Sequence, residues 1–84
     1  MYVEFFGVPR ERAGVSQLQV DAPTLGTLLV TLAAQLPPLR ELIVGERLHP
    51  SLAANLNGDR FVTDPRTTLR DEDHLLILSA DVGG

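Results

Sequence analysis

Residues 24–36 read Thr-Leu-Gly-Thr-Leu-Leu-Val-Thr-Leu-Ala-Ala-Gln-Leu. Leu25, Leu28, Leu29, Leu32, Ala33 and Leu36 recur at i, i+3, i+4, i+7, i+8 and i+11. That spacing lays one apolar stripe along an amphipathic helix. Thr24 is a suitable N-cap, because its hydroxyl can accept from a free N–H of the first turn. Pro37-Pro38 stops the helix, since proline lacks the N–H and disfavours helix in the residue before it. A single helix of this kind cannot bury its stripe alone and needs a sheet to lie on. The fold therefore depends on the strands supplied by the flanking sequence.

Before the helix, residues 2–6 (Tyr-Val-Glu-Phe-Phe) are aromatic and β-branched with one charge at Glu4, which reads as a strand. Gly7, Pro9 and Gly14 break the pattern, so residues 7–15 are expected to form a loop carrying Arg10, Glu11 and Arg12. Residues 17–20 alternate Gln, Leu, Gln, Val, a half-buried strand with Leu18 and Val20 inward. After the helix, Leu39, Leu42 and Ile43 suggest one or two further helical turns ended by Gly45, and His49-Pro50 reads as loop. Leu52, Ala54 and Leu56 alternate up to Asn57-Gly58, a hairpin turn signal, and Phe61-Val62 begins the return strand. Asp71-Glu72-Asp73 reads as a solvated turn into Leu75-Leu76-Ile77-Leu78, a continuous apolar run that suits a central strand covered on both faces.

The order strand, strand, long helix, strand, short strand, strand defines a two-layer α+β domain. Its buried last strand should lie beside the first in the middle of the sheet. That architecture is the β-grasp, or ubiquitin-like, fold: a mixed sheet of about four to five strands packed on one main helix. Residues 1–78 form the β-grasp domain, and residues 79–84 (Ser-Ala-Asp-Val-Gly-Gly) are expected to form a flexible C-terminal diglycine tail, being too poor in apolar side chains to pack.

Composition removes much ordinary chemistry. The chain has 84 residues, a formal charge of -4 and no cysteine, and all seven cationic side chains are arginines. Without cysteine there is no thiol nucleophile, redox pair or iron–sulfur cluster. Without lysine there is no Schiff base and no P-loop lysine. A sequence pI near 4.9 argues against nucleic acid as a partner. The N-terminus lacks a secretory signal pattern, and no apolar run approaches the ~18 residues of a membrane span, so a cytoplasmic protein away from membranes is expected. His49 and His74 have no cysteines beside them, and the acidic turn lacks EF-hand spacing; no metal site is expected.

Gly83-Gly84 has two readings, a frayed end or a reactive one. Glycine has no Cβ, so such a terminus can extend and enter a channel too narrow for other side chains. Six residues reach about 20 Å, enough to bring a carboxylate into another protein's site. Tyr2 and Phe6 share a face of the first strand; if Val3 and Phe5 point at the helix, the two aromatics lie on the open sheet face, where apolar exposure suits docking. The opposite parity is equally compatible with the sequence. Arg10 is either a solvated loop residue or part of a partner surface.

Several pieces, in order, resemble one family. Phe5-Phe6, Arg10-Glu11 with Gly14, the Leu-rich helix, Asn57-Gly58-Asp59, the acidic turn Asp71-Glu72-Asp73 and the terminal Gly83-Gly84 together resemble the MoaD family, the small subunits of molybdopterin synthase. That family lies within the MoaD/ThiS group of ubiquitin-like sulfur carriers. The chain departs from it in having Ser79-Ala80 where family tails often carry Pro-Pro, and in lacking a glycine ahead of the acidic turn. The resemblance implies that a partner adenylating enzyme (MoeB/ThiF-like) uses ATP to activate the Gly84 carboxylate, with no cofactor bound by the chain itself. A sulfur donor then converts it to a thiocarboxylate. On the reactive reading of the terminus, Ala80, Asp81, Val82 and Gly83 thread into the partner; Tyr2 and Phe6 are candidate partner-surface residues by strand parity, and the resemblance adds Arg10. The resemblance also implies a heterotetramer with a MoaE-like large subunit, which holds the acid–base residues for molybdopterin synthesis. Sulfur delivery for thiamine thiazole or tRNA thiolation, a ubiquitin-like protein modifier, and a non-catalytic β-grasp interaction module are the alternatives.

Overall fold

The computed structural model describes residues 1–80. In chain order it has β1 (Tyr2–Phe5), α1 (Val8–Ala13), β2 (Gln17–Gln19), α2 (Leu25–Gln35), a 3₁₀ segment (Pro37–Leu42), β3 (Ile43–Val44), β4 (Arg47–Leu48), β5 (Leu52–Leu56), β6 (Arg60–Phe61) and β7 (His74–Ser79). Five strands form one sheet in the order β2-β1-β7-β5-β6, and β3-β4 make a separate small hairpin. The pair β1-β7 is parallel, with Tyr2 opposite His74 and Phe5 opposite Ile77. The other pairs of the sheet are antiparallel. This is the expected β-grasp arrangement, with first and last strands side by side under one main helix.

The stripe of α2 is the core. Leu25, Leu28, Leu29 and Leu32 are buried against Val3, Phe5, Leu75 and Ile77, and each such side chain contributes about 1.5–3 kcal/mol by leaving water. Thr24 caps the helix, accepting from the Thr27 N–H at 3.3 Å. The N–H groups of Leu25 and Gly26 donate to the carbonyls of Thr67 and Pro65, so the 65–69 segment closes this end of the helix. The helix ends at Gln35, ahead of the two prolines.

The structure corrects two sequence expectations and refines others. Residues 7–15 are not a plain loop: Gly7 and Gly14, both at positive φ, bracket the helix α1, and Pro9 sits in its first turn. There the missing proline N–H leaves no hydrogen bond unmade. Pro37 and Pro38 themselves begin the 3₁₀ segment, and Gly45 (φ 65°) turns the hairpin β3-β4 rather than only ending a helix. Beyond Leu56, positive φ at both Asn57 (59°) and Gly58 (67°) makes the hairpin turn; the first strand pair is Leu56 with Arg60, so residues 57–59 form the connection. Finally, β7 is central but covered on one face only. Leu75 and Ile77 are buried on the helix side, whereas Leu76 and Leu78 are half-buried on the other. The strand also takes in Ser79, one residue past the domain boundary read from the sequence.

Candidate functional site

The parallel pair fixes where the last described residues lie. Because β1 and β7 run in the same direction, the end of β7 emerges beside the end of β1. The Phe6 N–H donates to the Ile77 carbonyl at 2.9 Å. Gly7 (φ 72°) then turns the backbone beside Ser79, where a Cβ at position 7 would make an ordinary contact at 3.7 Å with Ser79 Oγ. On the other side, Ser79 pairs with Leu52, and the Ala80 N–H donates to the Ser51 carbonyl at 2.7 Å. His49 Nδ1 accepts from the Ser51 N–H at 3.0 Å and lies 2.8 Å from Ser51 Oγ. An Nδ1 that accepts puts the proton of the neutral ring on Nε2. Ser79 thus lies beside Gly7, and the exposed Ala80 is tied by its N–H to the residue 49–51 turn. Of the expected tail residues, Asp81, Val82, Gly83 and Gly84 lie outside the described residues.

Phe6 and Arg10 stand together at this exit. Phe6 is 53% exposed, and both residues border a shallow depression with Gly7, Glu11, Val15 and Ser16. Tyr2 is elsewhere. It occupies the opposite end of β1, about 13 Å from Phe6 at the rise of a strand. Its ring meets His74 edge-on, with centroids 5.4 Å apart, and its hydroxyl bonds Gln17. The parity is the one that puts Val3 and Phe5 on the helix side, so Tyr2 and Glu4 lie on the open sheet face. Two of the three residues read as partner surface therefore meet at the tail root, and the third does not.

The open face carries an apolar residue that sequence reasoning missed. Phe61 pairs with Asn55, which pairs with Leu76, so all three share a row across the uncovered side. Phe61 is 65% exposed. The signal was present: Val62 turns inward, and alternation sends its neighbour outward. With half-buried Ala53, Leu76 and Leu78, Phe61 makes this face less polar than a solvated sheet surface requires.

The acidic turn is not wholly solvated. Asp71 and Glu72 are exposed, but Asp73 is buried. Its carboxylate accepts from Asn57 Nδ2 at 2.9 Å and from the Arg70 N–H at 2.8 Å, while Asn57 Oδ1 accepts from the His74 N–H at 2.8 Å. The Asn57 hydrogen bond first, and the Arg70 amide second, hold the Asp73 carboxyl below its ordinary pKa. This cluster ties the 57–58 turn to the start of β7. His74 Nε2 also lies 3.1 Å from Glu4 Oε1. Among the described residues, no three His, Cys, Asp or Glu side chains gather as metal ligands, and no helix is long and apolar enough to cross a membrane.

The topology and the placement of the tail root define a ubiquitin-like β-grasp domain. Within that class the chain is similar to the small archaeal modifier protein 1 from Methanosarcina acetivorans, at 26% identity over 99% of this chain and 94% of that one, with a TM-score of 0.79. It is similar to a chain of the BexX/CysO complex from Amycolatopsis orientalis, at 22% identity, 99% and 98% coverage and a TM-score of 0.79. It is also similar to a chain in the complex of subunits 1 and 2 of the molybdopterin-converting factor from Helicobacter pylori, at 24% identity, 99% and 96% coverage and a TM-score of 0.67. No protein-family model and no curated protein matches the sequence. The neighbours thus include a small archaeal modifier protein, a chain of a BexX/CysO complex and a chain of a molybdopterin-converting factor, all sharing this fold.

Proposed function

We propose that this chain is a sulfur carrier for molybdopterin synthesis whose reactive group is the Gly84 carboxylate. The observation that supports this most is the position of Ala80: it follows the last residue of the central strand β7, beside the end of β1, and four further residues ending in Gly83-Gly84 follow in the sequence. In this reading a carboxylate oxygen attacks the α-phosphorus of ATP on an adenylating enzyme, releasing pyrophosphate. A persulfide sulfur then displaces AMP, and a thiol cleaves the S–S bond to leave the thiocarboxylate. The thiocarboxylate delivers sulfur to a pterin precursor on a large subunit, with Phe6, Arg10 and the apolar open face contacting the partners. The likeness to a complex of molybdopterin-converting factor subunits 1 and 2 favours this acceptor.

A second reading, conjugation of Gly84 to amines of other proteins, is favoured by the likeness to a small archaeal modifier protein. Both readings require activation, and an idle interaction module does not. With the adenylating enzyme, the full chain should support exchange of pyrophosphate into ATP, and a chain lacking Gly84 should not; equal exchange by both contradicts the assignment of Gly84. The acceptor is decided by supplying the thiocarboxylated chain to the large subunit and its cyclic pterin precursor. Dithiolene formation supports the first reading, and its absence alongside amide conjugates supports the second.

A further inference from the structure

The 84 residues contain no lysine, so the α-amino group of Met1 is their one amine. That group is withdrawn from use. Its ammonium donates to Asp21 Oδ1 at 2.9 Å, and the Met1 residue is only 3% exposed, packed into the core with Val3, Val20 and Leu25. The Met1 carbonyl accepts from the Val20 N–H, and the next residue, Tyr2, pairs with both Gln19 and His74. Freeing the amine therefore means opening the start of β1 and removing a core side chain.

We infer that the chain is an acyl donor only: once activated at Gly84 it can be transferred to other molecules but cannot accept a second copy of itself. This rests on the proposed activation of Gly84. The reaction avoided is aminolysis. A neutral amine nitrogen would attack the acyl carbon of the adenylate, the C–N bond would form, the C–O bond to AMP would break with its electron pair on AMP, and the nitrogen would lose a proton to solvent. The Asp21 side chain itself is exposed, but the amine belongs to a residue only 3% exposed and is engaged by that carboxylate, so it offers little access to an incoming acyl group. Arginine in every cationic position keeps the positive charge without adding an acceptor, because a guanidinium stays protonated. The products expected are single transfers to sulfur donors or foreign amines, never chains of this protein.

Two measurements test this. In the first, the folded full-length chain is treated with the N-hydroxysuccinimide ester of acetate near pH ~8, where a free α-amino group is about half neutral, and its intact mass is followed. Acetylation should be at least about tenfold slower than in the urea-unfolded chain, since the folded amine reacts only through local opening. The unfolded chain should gain one acetyl on nitrogen; equal rates in both states overturn the inference. In the second, wild type and Arg66→Lys are each incubated with the adenylating enzyme and ATP. The Arg66 side chain is 91% exposed, so its replacement adds an accessible amine. Covalent dimers are expected from the variant alone, and dimers of the wild type overturn the inference. If pyrophosphate exchange fails, the activation reading falls while the acetylation result still decides whether the amine is withheld.

Discussion

Asp73 lies in a run of three acids, yet its carboxylate is a structural acceptor for Asn57 and the Arg70 amide. Asp73→Ala leaves both donors without their acceptor and should destabilise the fold by about 1–3 kcal/mol in urea unfolding. The pH dependence follows from the lowered pKa. A carboxyl whose folded pKa is below its ordinary 3.8 stabilises the protein fully above that value, and the contribution is lost as pH falls through the folded pKa. Urea midpoints should therefore fall on acidification below about pH 4, and the fall should be shallower in Asp73→Asn. Sequence alone did not separate Asp73 from Asp71 and Glu72, because the separation comes from Asn57, 16 residues earlier, which only the closed sheet brings near.

At the scale of elements, α2 was readable from its stripe and its cap because both signals are local. The short helix α1 was not. It buries only Pro9 and Ala13, too little for a period to register, and the Gly and Pro that read as breakers are its boundary residues. Gly14 sits at φ 77° with nothing within 4 Å of an added Cβ, so Gly14→Ala should cost about 1–2 kcal/mol through backbone conformation alone. Gly14→Asn should cost less, as asparagine tolerates that conformation better. Leu28→Ala, in the fully buried stripe, should cost about 2–5 kcal/mol and leave a cavity against the sheet. The apolar run in β7 correctly marked a central strand, but it does not show that one face stays uncovered; that follows from the two-layer architecture, in which a single helix roofs only one side.

At the scale of the whole molecule, the parallel β1-β7 pair brings Phe6 and Arg10, more than 60 residues earlier in the chain, beside the root of the terminal segment. The sequence pointed to Phe6 through strand parity and to Arg10 through family resemblance, and could not place either relative to the last strand, since that depends on strand direction. If the partner enzyme grips the chain where it exits, Phe6→Ala and Arg10→Glu should each weaken binding to the adenylating enzyme by about tenfold. Tyr2→Ala, at the far end of β1, should change it by less than about threefold; a larger effect than Phe6→Ala contradicts docking centred on the exit. The central claim, that Gly84 becomes a thiocarboxylate, is tested most directly by intact mass. Incubated with an active adenylating enzyme, ATP and a sulfur donor, the full chain should gain about 16 Da, sulfur exchanged for one oxygen at the C-terminal carbonyl. An unchanged mass, with the same enzyme shown to be active on another substrate, contradicts it.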